Sequence, residues 1–191
     1  RLRVTTSVHE AREVAGGVSG SSTAKVTALH GTTYAELERR RGGEVARTYA
    51  AANLAGVEDL AALVEREGID CGWRPLPAVT YTTDPARIGT IRAERDAAQR
   101  AGLTVALTGE TDLPYPVAAA VSCPDQAVVD PVRLLRGLAA SLAARGVALH
   151  ERSRVVAVVD EPDGRRSVAT DAGAHLRAGA VVLTTQLPIV D

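Results

Sequence analysis

What this 191-residue chain lacks narrows what it can be. No run of about 18 consecutive apolar residues occurs, so no segment reads as a transmembrane helix. A signal-peptide pattern is missing too: the first residues are basic, but Leu2 to Val8 is short and mixed. Charge of one sign is absent. Lys plus Arg (22) against Asp plus Glu (23) gives a formal charge of −1 and no electrostatic footprint for nucleic acid or an anionic membrane. The two cysteines, Cys71 and Cys123, lie far apart without metal-ligand spacing. They read as ordinary thiols of a reducing, cytoplasmic setting. Four scattered histidines make no metal site, and no Ser/His/Asp or Cys/His set has sensible spacing, so no catalytic residue is assigned. Phenylalanine is absent, which reflects a bias toward Ala, Val, Leu, Arg and Gly. Methionine is absent as well, including a starting one, and this suggests that the front of the protein lies outside the sequence.

What is present is clearest between Val129 and Gln186. Asp130 is a good helix N-cap, and Pro131 suits the first helical position, where its missing N–H is not needed. Leu135, Leu138, Ala139 and Leu142 fall at i, i+3, i+4 and i+7, one apolar face of a helix. Gly146 stands where a left-handed C-terminal cap belongs. Short β-branched runs come next, divided by the turns Pro162–Gly164 and Thr170–Gly173, which predicts a meander of small antiparallel strands. The run Ala180 to Leu183 is short, apolar and not alternating, as expected of a strand buried on both faces of a parallel sheet. Helix, strand, meander and return strand give an α/β reading.

At the other end, Leu2 to Val8 alternates like a strand and ends at His9-Glu10. In a dinucleotide-binding unit, the acid that hydrogen-bonds the ribose closes the second strand, about 20 residues after a Gly-rich turn. Glu10 fits that place, yet no G-x-G-x-x-G precedes it, so a fragment that begins at the second strand is expected. The Gly and hydroxyl residues between Gly16 and Thr23 can set backbone N–H groups and hydroxyls against an anion or a flat ring. They can equally form a solvent loop that feeds the next helix, with Ser22 or Thr23 as its N-cap.

Gly31 to Arg41 and Glu44 to Glu67 read as two helices divided by Gly42-Gly43, the second with an apolar face of Val45, Tyr49, Ala52, Leu60, Leu63 and Val64. Gly56 would mark close packing or a kink, His30 a cap or packing residue, and Gly68 the end of the long helix. An edge-type strand with Pro75 and Pro77 is predicted over Trp73 to Thr82. A helix opened by Asp84-Pro85 and carrying Ile88, Ile91 and Ala98 succeeds it, then strands at Leu103 to Thr108 and Val117 to Ser122. Trp73, Tyr81 and Tyr115 are placed in core packing, with a substrate cavity as the second use. Glu110 to Asp112 reads as a solvated turn.

These elements resemble the adenine-nucleotide-binding half of FAD-dependent oxidoreductases of the D-amino-acid-oxidase and glycine-oxidase type. The matching pieces are Asp130-Pro131, Gly146-Val147, Ser153-Arg154-Val155 and Val181 to Thr185, with Thr184 in place of the usual Ala and Gln186 where Gly is common. Gly16 to Thr27 resembles a subgroup with Gly-Gly-x-Ser/Thr-Gly-x-(Ser/Thr)-Thr-Ala-Lys-Val-Thr, whose flavin protein often continues into a C-terminal Rieske iron–sulfur domain. Nothing in these residues supplies the Cys/His pairs of such a cluster.

The resemblance implies FAD as cofactor, held by Glu10, Ala11, Arg12, Gly17, Ser22, Thr23, Lys25 and Val155. Glu10 would hold the adenosine ribose, with Arg12 at the adenine or ribose edge. Ser22 and Thr23 would reach the pyrophosphate or ribityl chain, and Lys25 would point toward the flavin ring or else stay solvated. It also implies an α/β fold: a partial FAD-binding Rossmann-like domain, with parallel sheet and β-meander, and an inserted α+β antiparallel substrate domain. The expected segments are residues 1–70 and 126–191 for FAD and 71–125 for substrate, from a protein truncated at both ends. The expected activity is hydride transfer from an amine- or amino-acid-like C–H to flavin, with a small-molecule substrate and a redox partner or attached iron–sulfur domain. A non-catalytic nucleotide-binding or structural module and an NAD-dependent oxidoreductase stand as alternatives.

Overall fold

A computed structural model describes residues 5–185 of the chain. In chain order the elements are β1 (Ser7–His9), β2 (Lys25–Val26), α1 (Thr33–Arg41), α2 (Gly43–Glu67), β3 (Arg74–Thr82), α3 (Ile88–Arg100), β4 (Ala106–Thr108), β5 (Ala119–Val128), α4 (Pro131–Ala144), β6 (Ala148–His150), β7 (Val155–Asp160), β8 (Arg166–Thr170) and β9 (His175–Ala178). Short 3-10 turns lie at Val18–Ser21 and Pro85–Arg87. The chain folds as two compact units, Arg1–Ser22 with Pro131–Asp191, and Thr23–Asp130.

The discontinuous unit holds the parallel pair. β1 runs parallel to β6 in the register Ser7↔Ala148, Val8↔Leu149 and His9↔His150, and β7, β8 and β9 form an antiparallel meander. The α/β reading therefore stands. Helix α4 opens at Pro131 and ends as expected. Gly146 takes φ +84, its N–H donates to Ala143 O (2.9 Å), and the Val147 N–H donates to Leu142 O (3.1 Å). Those paired bonds satisfy carbonyls that the last turn leaves open, and the left-handed residue between them favours glycine. The apolar face needs correction. Leu134 is the buried residue of α4, while Leu142 is 38% exposed, so the stripe is rotated toward Leu134. The return strand is also corrected. Residues 181–185 are not a strand, and Val182 is 84% exposed. Among the described residues no strand pairs with this run, and an apolar sequence without a ladder partner has nothing to hold it extended and buried. Gln186 and the start of the predicted first strand, Leu2 to Val4, lie outside the described residues.

The contiguous unit is three helices on an antiparallel sheet. β5 is its central strand: β3 pairs along it from Arg74↔Val128 to Thr82↔Ala119, and its other edge is shared by β2 and β4. The register slips between Leu76 and Ala78, at Pro77. Proline has no N–H to give a ladder, so the slip falls where the sequence cannot bond. β5 extends well past the predicted Ser122, whereas Leu103 and Val105 are core residues outside the shorter β4. Helices α1 and α2 share one core with α3 and β5, built largely of small side chains: Ala46, Ala50, Ala97 and Ala98 around Tyr34, Ile91 and Val121.

Alanines on facing helices let backbones approach closely, and this moves the buried stripe of α2. Ala46, Ala50 and Val57 are buried, Val45 is exposed, and Ala52 faces solvent. Counting large apolar residues places that face wrongly. Gly56 lies in an unbroken helix with nothing within 4 Å of where a Cβ would stand, so it marks neither close packing nor a kink. His30 is exposed, its Nδ1 3.0 Å from Tyr49 Oη, in keeping with a packing role at the helix boundary. Cys71 and Cys123 are both free and buried.

Glu94 on α3 is 0% exposed. Its two carboxylate oxygens accept the N–H groups of Tyr34 (2.9 Å) and Ala35 (2.8 Å), near the start of α1, where backbone donors have no helical partner. Tyr34 in turn donates its hydroxyl to Ala28 O at 2.8 Å. Burial pushes the Glu94 carboxyl up, and the two N–H groups pull it back down. Glu94→Gln removes one of the two acceptors and turns a donor toward a donor. It should lower the unfolding free energy by about 1–3 kcal/mol, the usual cost of an unsatisfied buried group, measured by denaturant unfolding of the purified protein.

Candidate functional site

In open α/β sheets ligands bind outside the C-terminal ends of parallel strands. At that end of β1 and β6 the chain runs as two neighbouring segments, stitched by backbone bonds. Glu10 N–H donates to His150 O (2.9 Å), Ser153 N–H to Glu10 O (2.9 Å) and Arg152 N–H to Arg12 O (2.6 Å). A side chain adds to this: Glu151 Oε1 accepts the Val14 N–H at 2.7 Å. Glu10 Oε1 accepts the Arg12 N–H at 2.9 Å, which turns the chain directly after the strand and leaves the carboxylate with further acceptor capacity. Glu10 is half-buried, Arg12 is exposed, and Val155, two residues past Ser153, opens β7 opposite Thr170.

Behind Glu10 the rings of His9 and His150 stack, centroids 4.7 Å apart and 19° from parallel. His9 Nδ1 lies 2.9 Å from Ser153 Oγ. Burial, and then the neighbouring His150, hold His9 below the ordinary histidine value of 6.5. Sequence reasoning passed over this pair. The signal was only that each strand ends in His followed by Glu.

The stretch from Ala11 to Ser22 folds on itself. Arg12 donates from its guanidinium to Gly16 O (3.3 Å), Gly16 N–H to Glu13 O (2.8 Å), Gly20 N–H to Gly17 O (3.2 Å) and Ser22 N–H to Ser19 O (3.2 Å). Most of this loop lies open to solvent, with the residues from Gly17 to Ser22 exposed, as a ligand-facing loop requires. Gly20 is the most tightly held glycine of the loop: a Cβ there would sit 2.2 Å from Ala15 O, against 2.9 Å from Glu13 O at Gly16. Gly17, the glycine singled out from sequence, meets nothing within 4 Å.

Glu10, Ala11, Arg12, Gly17, Ser22 and Val155 thus fall in one unit, while Thr23 and Lys25 belong to the other, where Lys25 Nζ donates to Thr23 Oγ1 at 3.1 Å. The residues near Glu10 suit the adenosine end of a dinucleotide: a carboxylate for a ribose diol, a cation beside it, a half-buried valine and an exposed Gly/Ser loop.

The contiguous unit carries a second feature. Tyr81 on β3 and Tyr115 are 39% and 44% exposed, with hydroxyls 2.6 Å apart. Core packing, expected for both from sequence, is corrected: Tyr81 is exposed on β3 and Tyr115 in the connection before β5, and the hydroxyl contact holds Tyr115 above the ordinary phenol range. Trp73 is half-buried. A cavity of about 330 Å³ lined by Ala35, Glu38, Arg39, Ala93, Asp96, Ala97 and Arg100 is crossed by an ion pair, with Arg100 donating to Glu38 at 2.9 and 2.6 Å.

Gly20→Ala should disrupt the loop, since backbone must move to admit the methyl group, and limited proteolysis should cut between Glu13 and Ser22 more readily than in the parent. Gly17→Ala should leave the digestion pattern unchanged.

Comparisons with known proteins bear on the family and the fold. A curated relative, the putative Rieske 2Fe-2S iron–sulfur protein YhfW of Bacillus subtilis (strain 168), is 27% identical over 182 residues, which is 95% of this chain and 35% of that protein. Glycine oxidase from Geobacillus kaustophilus superposes with a TM-score of 0.68 at 20% identity, over 94% of this chain and 48% of that one. L-α-glycerophosphate oxidase from Mycoplasma pneumoniae, solved with FAD bound, gives 0.64 at 13% identity, over 85% and 42%. The chain therefore spans about a third of the curated relative and under half of these structures. The family of FAD dependent oxidoreductases (DAO) matches residues 1–187, nearly the whole sequence, which favours flavin over the nicotinamide alternative. The chain belongs to that FAD-dependent oxidoreductase family.

Proposed function

We propose that the protein containing this chain oxidises an amine- or amino-acid-like substrate, and that this chain supplies the adenosine end of the cofactor site together with part of the substrate surface. Bound FAD would accept a hydride at flavin N5 from the carbon next to nitrogen, chemistry that belongs to the cofactor. The chain's own part is to bind and orient. Glu10 accepts the ribose hydroxyls, Arg12 lies along the nucleotide edge, and Val155 packs against the adenosine. Ala11, Gly17 and Ser22 complete the cofactor set within this unit. The observation that carries this reading is the Ser153 N–H to Glu10 O bond of 2.9 Å, because it sets the acid-headed segment beside the valine step.

The substrate segment at 71–125 covers β3, α3, β4 and part of β5. Its exposed face offers the Tyr81–Tyr115 hydroxyl pair, in which one O–H donates to the other oxygen and the second is left to donate to a substrate carboxylate. That assignment is supported by amino-acid oxidases and deaminases among the similar structures, including glycine oxidase. We further propose an attached iron–sulfur domain or a separate redox partner as the next electron acceptor. The support is the likeness to a Rieske-named protein of which this chain matches only 35%. A cytoplasmic setting fits two buried free thiols.

The full-length protein should be yellow and release flavin on denaturation; a colourless protein would end this reading. Glu10→Ala should weaken FAD retention by about 1–3 kcal/mol, the usual value of a hydrogen bond to a charged group, read by flavin absorbance against free-FAD dilution. Tyr81→Phe should raise KM for carboxylate-bearing substrates while flavin content stays at the parent level.

A further inference from the structure

We infer that the stacked His9–His150 pair is a positioning device for the Glu10 turn, and that it makes retention of the cofactor pH-dependent. This rests on the reading of Glu10 as the ribose ligand. The two histidines are the last residues of parallel strands and stand at one register position, His9↔His150. The residue after His9 is Glu10, whose N–H is held by the His150 carbonyl and whose carbonyl holds the Ser153 N–H. His9 Nδ1 meets the hydroxyl of that same Ser153 at 2.9 Å, and His9 Nε2 lies 3.3 Å from Ser7 Oγ. One ring is thus tied to both partners of the Glu10 backbone.

A neutral ring donates to one of these hydroxyls and accepts from the other, and a protonated ring donates to both, so Ser7 and Ser153 select neither charge state. The stack does select. Two imidazolium rings with centroids 4.7 Å apart repel, whereas one charged and one neutral ring do not. The stack therefore opposes a charge on both rings at once. Other charges surround it. Glu10, Arg12 and Glu13 follow β1, and Glu151, Arg152 and Arg154 follow β6, with Arg152 3.8 Å from Glu13. Helix α4, which packs on β6, carries Arg133 and Arg136, and Arg145 directly succeeds it. The charge that acts on His9 is that of His150, and together with burial it holds His9 below 6.5. Above 6.5 both the folded and the loosened chain keep His9 neutral and nothing is lost. As pH falls below 6.5 the loosened chain takes up a proton that the stacked pair resists, so the arrangement around Glu10 loses stability. Bound cofactor, which needs that arrangement, opposes the second proton.

The test is the dissociation constant of FAD from the full-length protein at about pH 7.5 and about pH 5.5, on either side of the histidine range, for the parent and for His150→Gln. The parent should bind FAD several-fold more weakly at the lower pH. The variant should show a smaller change than the parent, because the burial of His9 remains while the charge of His150 is gone, and its His9 resonance should titrate at higher pH. If His150→Gln does not fold, His9→Gln replaces it, with the His150 resonance as readout. An equal pH slope in parent and variant, or a His9 titration that does not move, overturns the inference and leaves the flavin reading intact. Glu10→Ala with unchanged FAD affinity removes the ribose reading, and this inference falls with it.

Discussion

The strand end that carries Glu10 depends on a few backbone hydrogen bonds between segments far apart in the chain. The Glu10–Arg12 stretch and the His150–Ser153 stretch exchange three of them, at 2.6–2.9 Å. They continue the parallel β1–β6 pairing for a few residues past the end of the strands. Parallel pairs cannot be joined by a tight turn, so nothing local holds them. Each bond is modest in net free energy. Their effect is geometric: they bring a carboxylate, a guanidinium and a valine to one strand end, with side-chain bonds from Glu151 and His9 beside them.

The same economy shapes the contiguous unit. Its helices meet through alanines, and the place where a larger group enters is occupied by Glu94, which spends both oxygens on backbone donors. A buried carboxylate is costly unless it is hydrogen-bonded. Here it takes the role that a side chain of α1 itself would otherwise fill, since Thr32, at the N-cap position, makes no side-chain cap bond. The start of one helix is thereby fixed by another, and α1 and α3 share a fate.

Much of this was legible in the sequence because local chemistry and tertiary structure agree there. Pro131 and Gly146 bracket α4, Gly42 separates α1 from α2, and the Pro-Asp-Gly turn begins the β7–β8 connection. Glu10 could be placed because an acid at a strand end after alternating residues is a pattern of few meanings. What failed did so for physical reasons. Helical faces were drawn through the largest apolar residues, and close-packed alanines moved them. The run at 181–183 is apolar enough for a central strand, but a strand is a property of two chains and no sequence pattern shows the partner. The tyrosine pair could not be read, because Tyr81 and Tyr115 meet across the fold and neither knows of the other locally. Gly20 was hidden among neighbouring glycines. Only the position of Ala15 O tells it apart from Gly17.

The discontinuity of the first unit bears on how the molecule is made. Residues up to Ser22 leave the ribosome well before Pro131 onward, and until then β1 has no β6 to pair with. The contiguous unit from Thr23 to Asp130 contains its own core, and domains generally fold as units during synthesis. β1 therefore waits for its β6 partner until Pro131 onward has been made, while the contiguous unit can already condense.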